Sequence, residues 1–272
     1  MEKHRMCPNC RAFIGSDDRI CPYCEARLAP RAAEAGSRGE GMLSQGRFTT
    51  TVILLINFGM YAATTLYSMR SADGASFMDI DGRTLLAFGA KFRQAIFAGE
   101  WWRLVTAGFL HGGLLHIGMN SWVLFGLGPQ VEEFFGTSRF AVIYFLATVS
   151  GFIASTYWSG SLSVGASAGI FGLIGAMIAY GMKSNTTLGA AVRGHYTQWA
   201  MYGLLMGFFP GFRVDNAAHL GGLAAGFAVA YVAGTPRLTA TLQEKAWSAA
   251  AVVCVLATVL SFAMMFLRFS GI

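Results

Sequence analysis

An all-α polytopic membrane protein with a small N-terminal metal-binding module is the fold class this sequence predicts. Three observations lead there. The chain of 272 residues is 54% hydrophobic and only 12% charged, with a positive mean hydropathy, whereas soluble domains carry about 25% charge. Too few polar groups remain to cover a globule in water. Apolar runs long enough to cross a hydrocarbon core of about 30 Å, which takes about 20 helical residues, recur along most of the chain. Four of the 5 cysteines fall at the start, in two CxxC pairs. The 34 glycines and 13 methionines suit tightly packed membrane helices. The net charge of +6 is spread over short loops and forms no long basic stripe, which excludes nucleic acid and leaves the lipid bilayer as partner.

Residues 1–30 are charged, cysteine-bearing and without apolar periodicity. Cys7-Pro-Asn-Cys10 and Cys21-Pro-Tyr-Cys24 are knuckles of a kind that supplies two corners each of a tetrahedral Zn–S4 site. Such a zinc has no open position for a substrate water, so its role is structural. Two disulfides are the rival reading and require an oxidising compartment. No apolar run lies near residue 1, so the expectation is no cleavable secretory signal, with the run near Thr51 as an uncleaved anchor. Residues 31–48 are small, polar and Gly-rich, as in a flexible linker. Spanning helices are expected at 51–69, about 112–130, 140–158, 164–182, 196–212, 216–234 and 246–268, since only helices or closed barrels satisfy every backbone group in lipid. The second, fifth and sixth are less apolar, as befits helices that line a site. The segment 70–111 reads as a loop half-buried in the interface, with Trp101 and Trp102 suited to that level. Cys254, alone in the last run, reads as a small apolar residue.

Loop charge gives an orientation. With the N-terminus cytoplasmic, Arg31, Arg38, Arg47, Arg139, Lys183, Arg193, Arg237 and Lys245 lie inside, and the short outer loops hold little beyond Arg213. Arg83, Lys91, Arg93 and Arg103 in the long first loop run against this reading; free thiols, which survive best in a reducing compartment, favour it. The C-terminus then faces outside.

Polar groups at membrane depth are costly, so each raises a functional question. His111, His116 and Asn120 lie in or beside the second run. Ser167 opens the fourth within Gly165-Ala-Ser-Ala-Gly169, and His219 opens the sixth within Asn216-Ala-Ala-His-Leu-Gly-Gly222. These three runs share one direction, so the groups fall at one depth. His219 is suited to take the proton of Ser167. His116, Asn120 and the Ser167 N–H are suited to receive an oxyanion. Gly222 and Gly226 form a small-xxx-small pair that lets the sixth helix press on the fourth. Taken singly, Ser167 reads as a packing residue, a lone histidine as a bundle-stabilising hydrogen bonder, and Asn120 as a partner for a neighbouring backbone.

Together the motifs resemble the rhomboid intramembrane proteases over roughly 50–235. The matching pieces are Trp102-Arg103, His111-x4-His116-x3-Asn120, Gly165-x-Ser167-x-Gly169 and Ala218-His219-x2-Gly222, in order and spacing. The resemblance implies a six-helix core over 49–235, with Ser167 as nucleophile, His219 as general base and no acidic third member. It implies His116 and Asn120 as oxyanion-hole residues, Arg103 as the arginine that structures the first outer loop, and Glu132 as a structural glutamate. It further implies transmembrane protein substrates, no cofactor for catalysis, a bacterial plasma membrane, and an active site near the outer face. The run within 236–272 resembles an added C-terminal transmembrane helix. The zinc module, a zinc ribbon in kind, lies outside the family core and is expected to dock a cytosolic partner. A catalytically silent relative that escorts membrane-protein clients is the alternative; a transporter, which calls for an internal repeat with broken helices, is not supported.

Overall fold

In a computed structural model of the protein the described residues are 4–7, 9–10, 12–15, 18–26, 47–71, 76–209, 214–236 and 241–271. Most of the linker expected at 31–48 lies outside them, as do Arg31, Arg38, Arg213 and Arg237. The chain divides into two compact units, Met1–Ser44 and Gln45–Ile272.

The first unit holds a hairpin of β1 (His4–Met6) and β2 (Phe13–Gly15), paired antiparallel with Arg5 opposite Ile14. Its two knuckles are built alike. The Cys7 N–H donates to Ala12 O and the Cys21 N–H to Ala26 O, both at 2.9 Å. Each bond closes a tight turn that carries the two cysteines of one pair.

The second unit is helical. It comprises α1 (Phe48–Ser71), three short helices α2 (Gly82–Ala87), α3 (Arg93–Phe97) and α4 (Arg103–Thr106), then α5 (Leu114–Trp158), α6 (Ser167–Lys183), α7 (Thr187–Leu205), α8 (Asn216–Ala233) and α9 (Leu242–Ser270). By length and composition α1, α5, α8 and α9 are each fit to cross a membrane. The 45-residue α5 is two spans joined at Gly136, whose φ of 72° breaks the helix. With α6 and α7 the described residues hold seven rods, the all-α polytopic arrangement the sequence predicts. α6 is central: 12 of its 17 residues are buried, and it packs on α5, α7 and α8. α9 is peripheral, with only 11% of its most apolar stretch buried against 56% for α5.

Two elements differ from expectation. The fifth rod begins at Thr187, where hydropathy places its start at 196. Thr186 caps it by accepting the Gly189 N–H at 3.0 Å. Arg193 and His195 lower the hydropathy of its first half without interrupting the helix. The first loop is also more built than an irregular interfacial segment. Trp102 is buried at 7% exposure while Trp101 is 44% exposed, so only Trp101 is free to sit at an interface.

Carbonyls explain the cations of that loop. A helix end leaves its last C=O groups without intrahelical partners. Arg93 Nε donates to Thr156 O at 2.6 Å and Arg93 Nη2 to Tyr157 O at 2.7 Å. Lys91 Nζ reaches Ser159 O at 2.7 Å and Ser161 O at 3.0 Å. Both charges therefore cap the C-terminus of α5, where the helix dipole also favours them. Burial pushes the Lys91 ammonium below its usual value, with the Asp215 carboxylate acting the other way. Arg103 donates from Nη1 to Leu86 O at 2.7 Å and Ala90 O at 3.0 Å, and from Nε to Glu100 at 2.6 Å. It thus staples α2 to α4.

Candidate active site

Ser167 is the first residue of α6 and is half-buried. The turn before it is fixed by Gly165, whose N–H donates to Ala107 O at 2.9 Å. Gly165 has φ +133°, a conformation that other residues rarely adopt. A Cβ there would lie 2.7 Å from His116 Nε2 and 3.5 Å from Asn120 Nδ2. The first half of α5 therefore sets both polar side chains, one helical turn apart, against the backbone that leads into Ser167. The Gly112 N–H donates to His116 Nδ1 at 3.4 Å. With Nδ1 accepting, this hydrogen bond assigns the ring proton to Nε2, the atom that faces the serine turn. Asn120 Nδ2 is buried without a partner among the described residues. Such a donor is costly to leave unused.

His219 lies in the first turn of α8 and is buried at 7% exposure. Its ring stacks on Phe171, one turn beyond Ser167, with centroids 4.0 Å apart and planes 14° apart. Close backbone approach makes this possible. A Cβ on Gly222 would lie 2.2 Å from Ala168 O, and one on Gly226 only 2.1 Å from Gly172 O. Among the described residues no hydrogen bond joins Ser167 Oγ to His219, and His219 Nδ1 is buried without a partner.

The remaining residues singled out by sequence stand around this centre. His111 is fully buried and meets His116 edge-on, ring centroids 5.1 Å apart. Gly169 lies against Tyr144, where a Cβ would approach Tyr144 Cε2 to 2.5 Å. Trp102 and Arg103 belong to the first loop, beside the site through Ala107. Glu132 lies away from Ser167, at the end of the first half of α5, just before the Gly136 break. Its Oε1 accepts the Thr49 N–H at 3.2 Å, Thr49 Oγ1 at 2.6 Å and Thr137 Oγ1 at 2.9 Å. It thereby caps the start of α1. Cys254 is buried in α9.

Sequence reasoning passed over Asp215. Its Oδ1 accepts the Ala218 N–H at 3.0 Å, capping α8, and its Oδ2 accepts Ser155 Oγ. An Asp immediately ahead of an apolar helical run is a readable N-cap signal. Glu100, Glu244 and Arg268 are also unmarked; Glu100 pairs with Arg103 three positions on, a readable helical spacing, whereas the Arg139–Glu244 and Arg268–Glu100 pairs lie too far apart along the chain for spacing to reveal.

The four N-terminal cysteines are free thiols whose Sγ atoms all lie within 4.8 Å of one another. Cys7 Sγ is 3.7 Å from Cys24 Sγ, and Cys10 Sγ is 3.6 Å from Cys21 Sγ. A Zn–S bond of about 2.3 Å gives a tetrahedron with edges of about 3.8 Å, so the set fits a tetrahedral metal ion. The Ala26 N–H and then the Asn9 amide bring the Cys24 thiol down, while burial and the neighbouring cysteines hold the Cys10 thiol up, so in the absence of a metal the four sulfurs share protons.

Comparison with known proteins agrees with this picture. The Rhomboid domain family model matches residues 98–236. The chain is 38% identical over 154 residues to "Rhomboid protease GluP" of Bacillus subtilis (strain 168), covering 57% of this chain and 30% of that protein. It is 36% identical over 145 residues to "RHOMBOID-like protein 9, chloroplastic" of Arabidopsis thaliana, covering 52% and 33%. It is 35% identical over 152 residues to "Rhomboid-like protease 3" of Toxoplasma gondii, covering 54% and 57%. The matches thus span between 30% and 57% of these relatives' lengths. A domain match over half the chain, on a helical bundle with four helices fit to cross a membrane, makes this protein a member of the rhomboid family.

Proposed function

We propose that the protein is an intramembrane serine endopeptidase that cuts transmembrane segments of other membrane proteins with Ser167 and His219. The observation that carries this reading is the pair His116 Nε2 and Asn120 Nδ2, crowded against the turn that presents Ser167, the second buried and without a partner among the described residues. Ser167 Oγ attacks the scissile carbonyl carbon while His219 takes its proton. The carbonyl oxygen becomes an oxyanion held by His116, Asn120 and the Ser167 N–H, which at the first position of α6 has no intrahelical acceptor. His219 returns the proton to the departing amine, leaving an acyl-serine. Water, deprotonated by His219, then releases the acid. A substrate helix must unwind locally to offer its amide, since helical backbone in lipid is internally bonded.

The domain division proposed is a metal-ribbon module at 1–30, a linker at 31–48, a protease core at 49–235 and an added helix at 236–272. The end of the bundle that carries Ser167 faces away from the cytoplasm, and the end with Arg139, Lys183 and Lys245 faces into it. Cys7, Cys10, Cys21 and Cys24 hold a structural Zn2+, with a cytosolic partner for the module.

A catalytically silent escort of membrane proteins is the second reading, favoured by the lack of a Ser167–His219 hydrogen bond. Purified wild type and Ser167→Ala incubated in detergent with a single-span substrate separate the two. Cleavage by wild type alone supports the protease. Intact substrate recovered equally from both proteins supports the escort.

A further inference from the structure

His219 occupies the first turn of α8, where the backbone N–H groups present the positive end of the helix dipole. A general base placed there must become positively charged during acyl transfer. The location opposes that charge. The buried Nδ1 has no acceptor among the described residues to compensate it. One anionic group stands at this helix end. Asp215 is the N-cap of α8, and the His219 N–H donates to Asp215 O at 3.0 Å, so the carboxylate and the imidazole belong to the same turn. Among the described residues, Asp215 and His116 are the titratable groups that act electrostatically on His219. Of these only Asp215 is an anion.

Its carboxylate is fixed from two sides. Oδ1 accepts the Ala218 N–H at 3.0 Å, and Oδ2 accepts Ser155 Oγ from α5. Ser155 is fully buried. A surface cap needs no such second anchor. Lys91, a buried cation of the first loop at the nearby end of α5, interacts electrostatically with Asp215.

We infer that Asp215 is a positioning residue for His219, its anchored carboxylate offsetting the positive end of α8 and stabilising the imidazolium formed when His219 takes the Ser167 proton. It touches no reacting atom, and the inference rests on the protease reading above. The Ser155 bond fixes the charge at this helix end.

The test uses the full chain in detergent with a single-span substrate, comparing wild type, Ser167→Ala, Asp215→Asn, Asp215→Ser and Ser155→Ala. Asn and Ser are both good N-caps, so the neutral variants retain the helix start and lose the charge. The expected result is a fall in kcat of about tenfold in each neutral variant that keeps the wild-type Tm, with KM within about twofold, as for an interaction made in the transition state. Ser155→Ala, which keeps the carboxylate, loses less. A folded neutral variant with wild-type kcat overturns the inference. So does a Ser155→Ala loss as large as that of the neutral variants, or a kcat loss matched by equal loss of Tm. If both neutral variants fail to fold, Ser155→Ala decides, a kcat unchanged at unchanged Tm being contrary. Wild type that cleaves no better than Ser167→Ala sinks the protease reading itself, a result distinct from all of these.

Discussion

At the scale of single residues, the site rests on a few donors held against one turn. On the proposed mechanism, His116→Ala and Asn120→Ala each remove a donor to the oxyanion. Loss of such a donor costs on the order of 10²–10³-fold in kcat, with KM little changed. Steady-state cleavage of a single-span substrate measures it; a rise in KM alone would assign these residues to substrate binding. Gly165→Ala is expected to be equally damaging, because its Cβ falls 2.7 Å from His116 Nε2 at a φ of +133°. The motif residues were legible because each sits at a fixed spacing beside glycine or on one helix face. The use of His116 Nε2 was not, since that depends on a hydrogen bond from Gly112 that no spacing encodes. Lys91 and Arg93 carry a related lesson. As sequence they are loop cations that argue against an outer location; in the structure each is committed to carbonyls at or just beyond the end of α5, some 60 to 70 positions away.

At the scale of elements, close backbone contact between α6 and α8 sets the relation of Ser167 to His219. Gly226→Val places a Cβ 2.1 Å from Gly172 O, so the helices must part. Overpacking of this kind costs about 1–3 kcal/mol. A lowered Tm together with lost cleavage is expected; wild-type values for both would contradict the packing. The small-xxx-small spacing revealed this contact, whereas the start of α7 stayed hidden because polar residues early in a membrane helix lower hydropathy without breaking it. The docking of α9 was likewise not legible. Arg139, 2% exposed, makes a bidentate pair with Glu244 at 2.6 and 2.8 Å and lies over Trp247. At the other end Arg268 meets Glu100 at 3.2 Å, beside an aromatic cluster of Tyr67, Phe88 and Phe269. Glu244→Ala strands a buried guanidinium and is expected to cost about 3 kcal/mol, more than the double change Arg139→Met with Glu244→Leu. Thermal unfolding of the two variants checks the order, and equal stabilities would remove the pair from the account.

At the scale of the whole molecule, composition alone announced a membrane protein, because a chain so poor in charge has no means of wetting its surface. The exposed side chains bear this out: Leu55, Val253, Leu256 and Leu260 are all more than half exposed along α1 and α9. The N-terminal unit obeys other physics, its order resting on four sulfurs and a short hairpin. Metal analysis is expected to find one zinc per chain, lost when Cys7 and Cys21 are replaced by Ser. Acidification is expected to release it, since protonated thiols do not bind. Zinc retained by that variant would refute the site. What no pattern announced is whether the serine and the histidine act together, since the two come from rods separated by about fifty residues of chain. The most direct measurement is mass-spectrometric mapping of a fluorophosphonate adduct on the full-length protein in detergent. The account expects modification of Ser167 in wild type and its near-complete loss in His219→Ala with the fold retained. Equal labelling of both, or a Ser167 that never reacts, would contradict it.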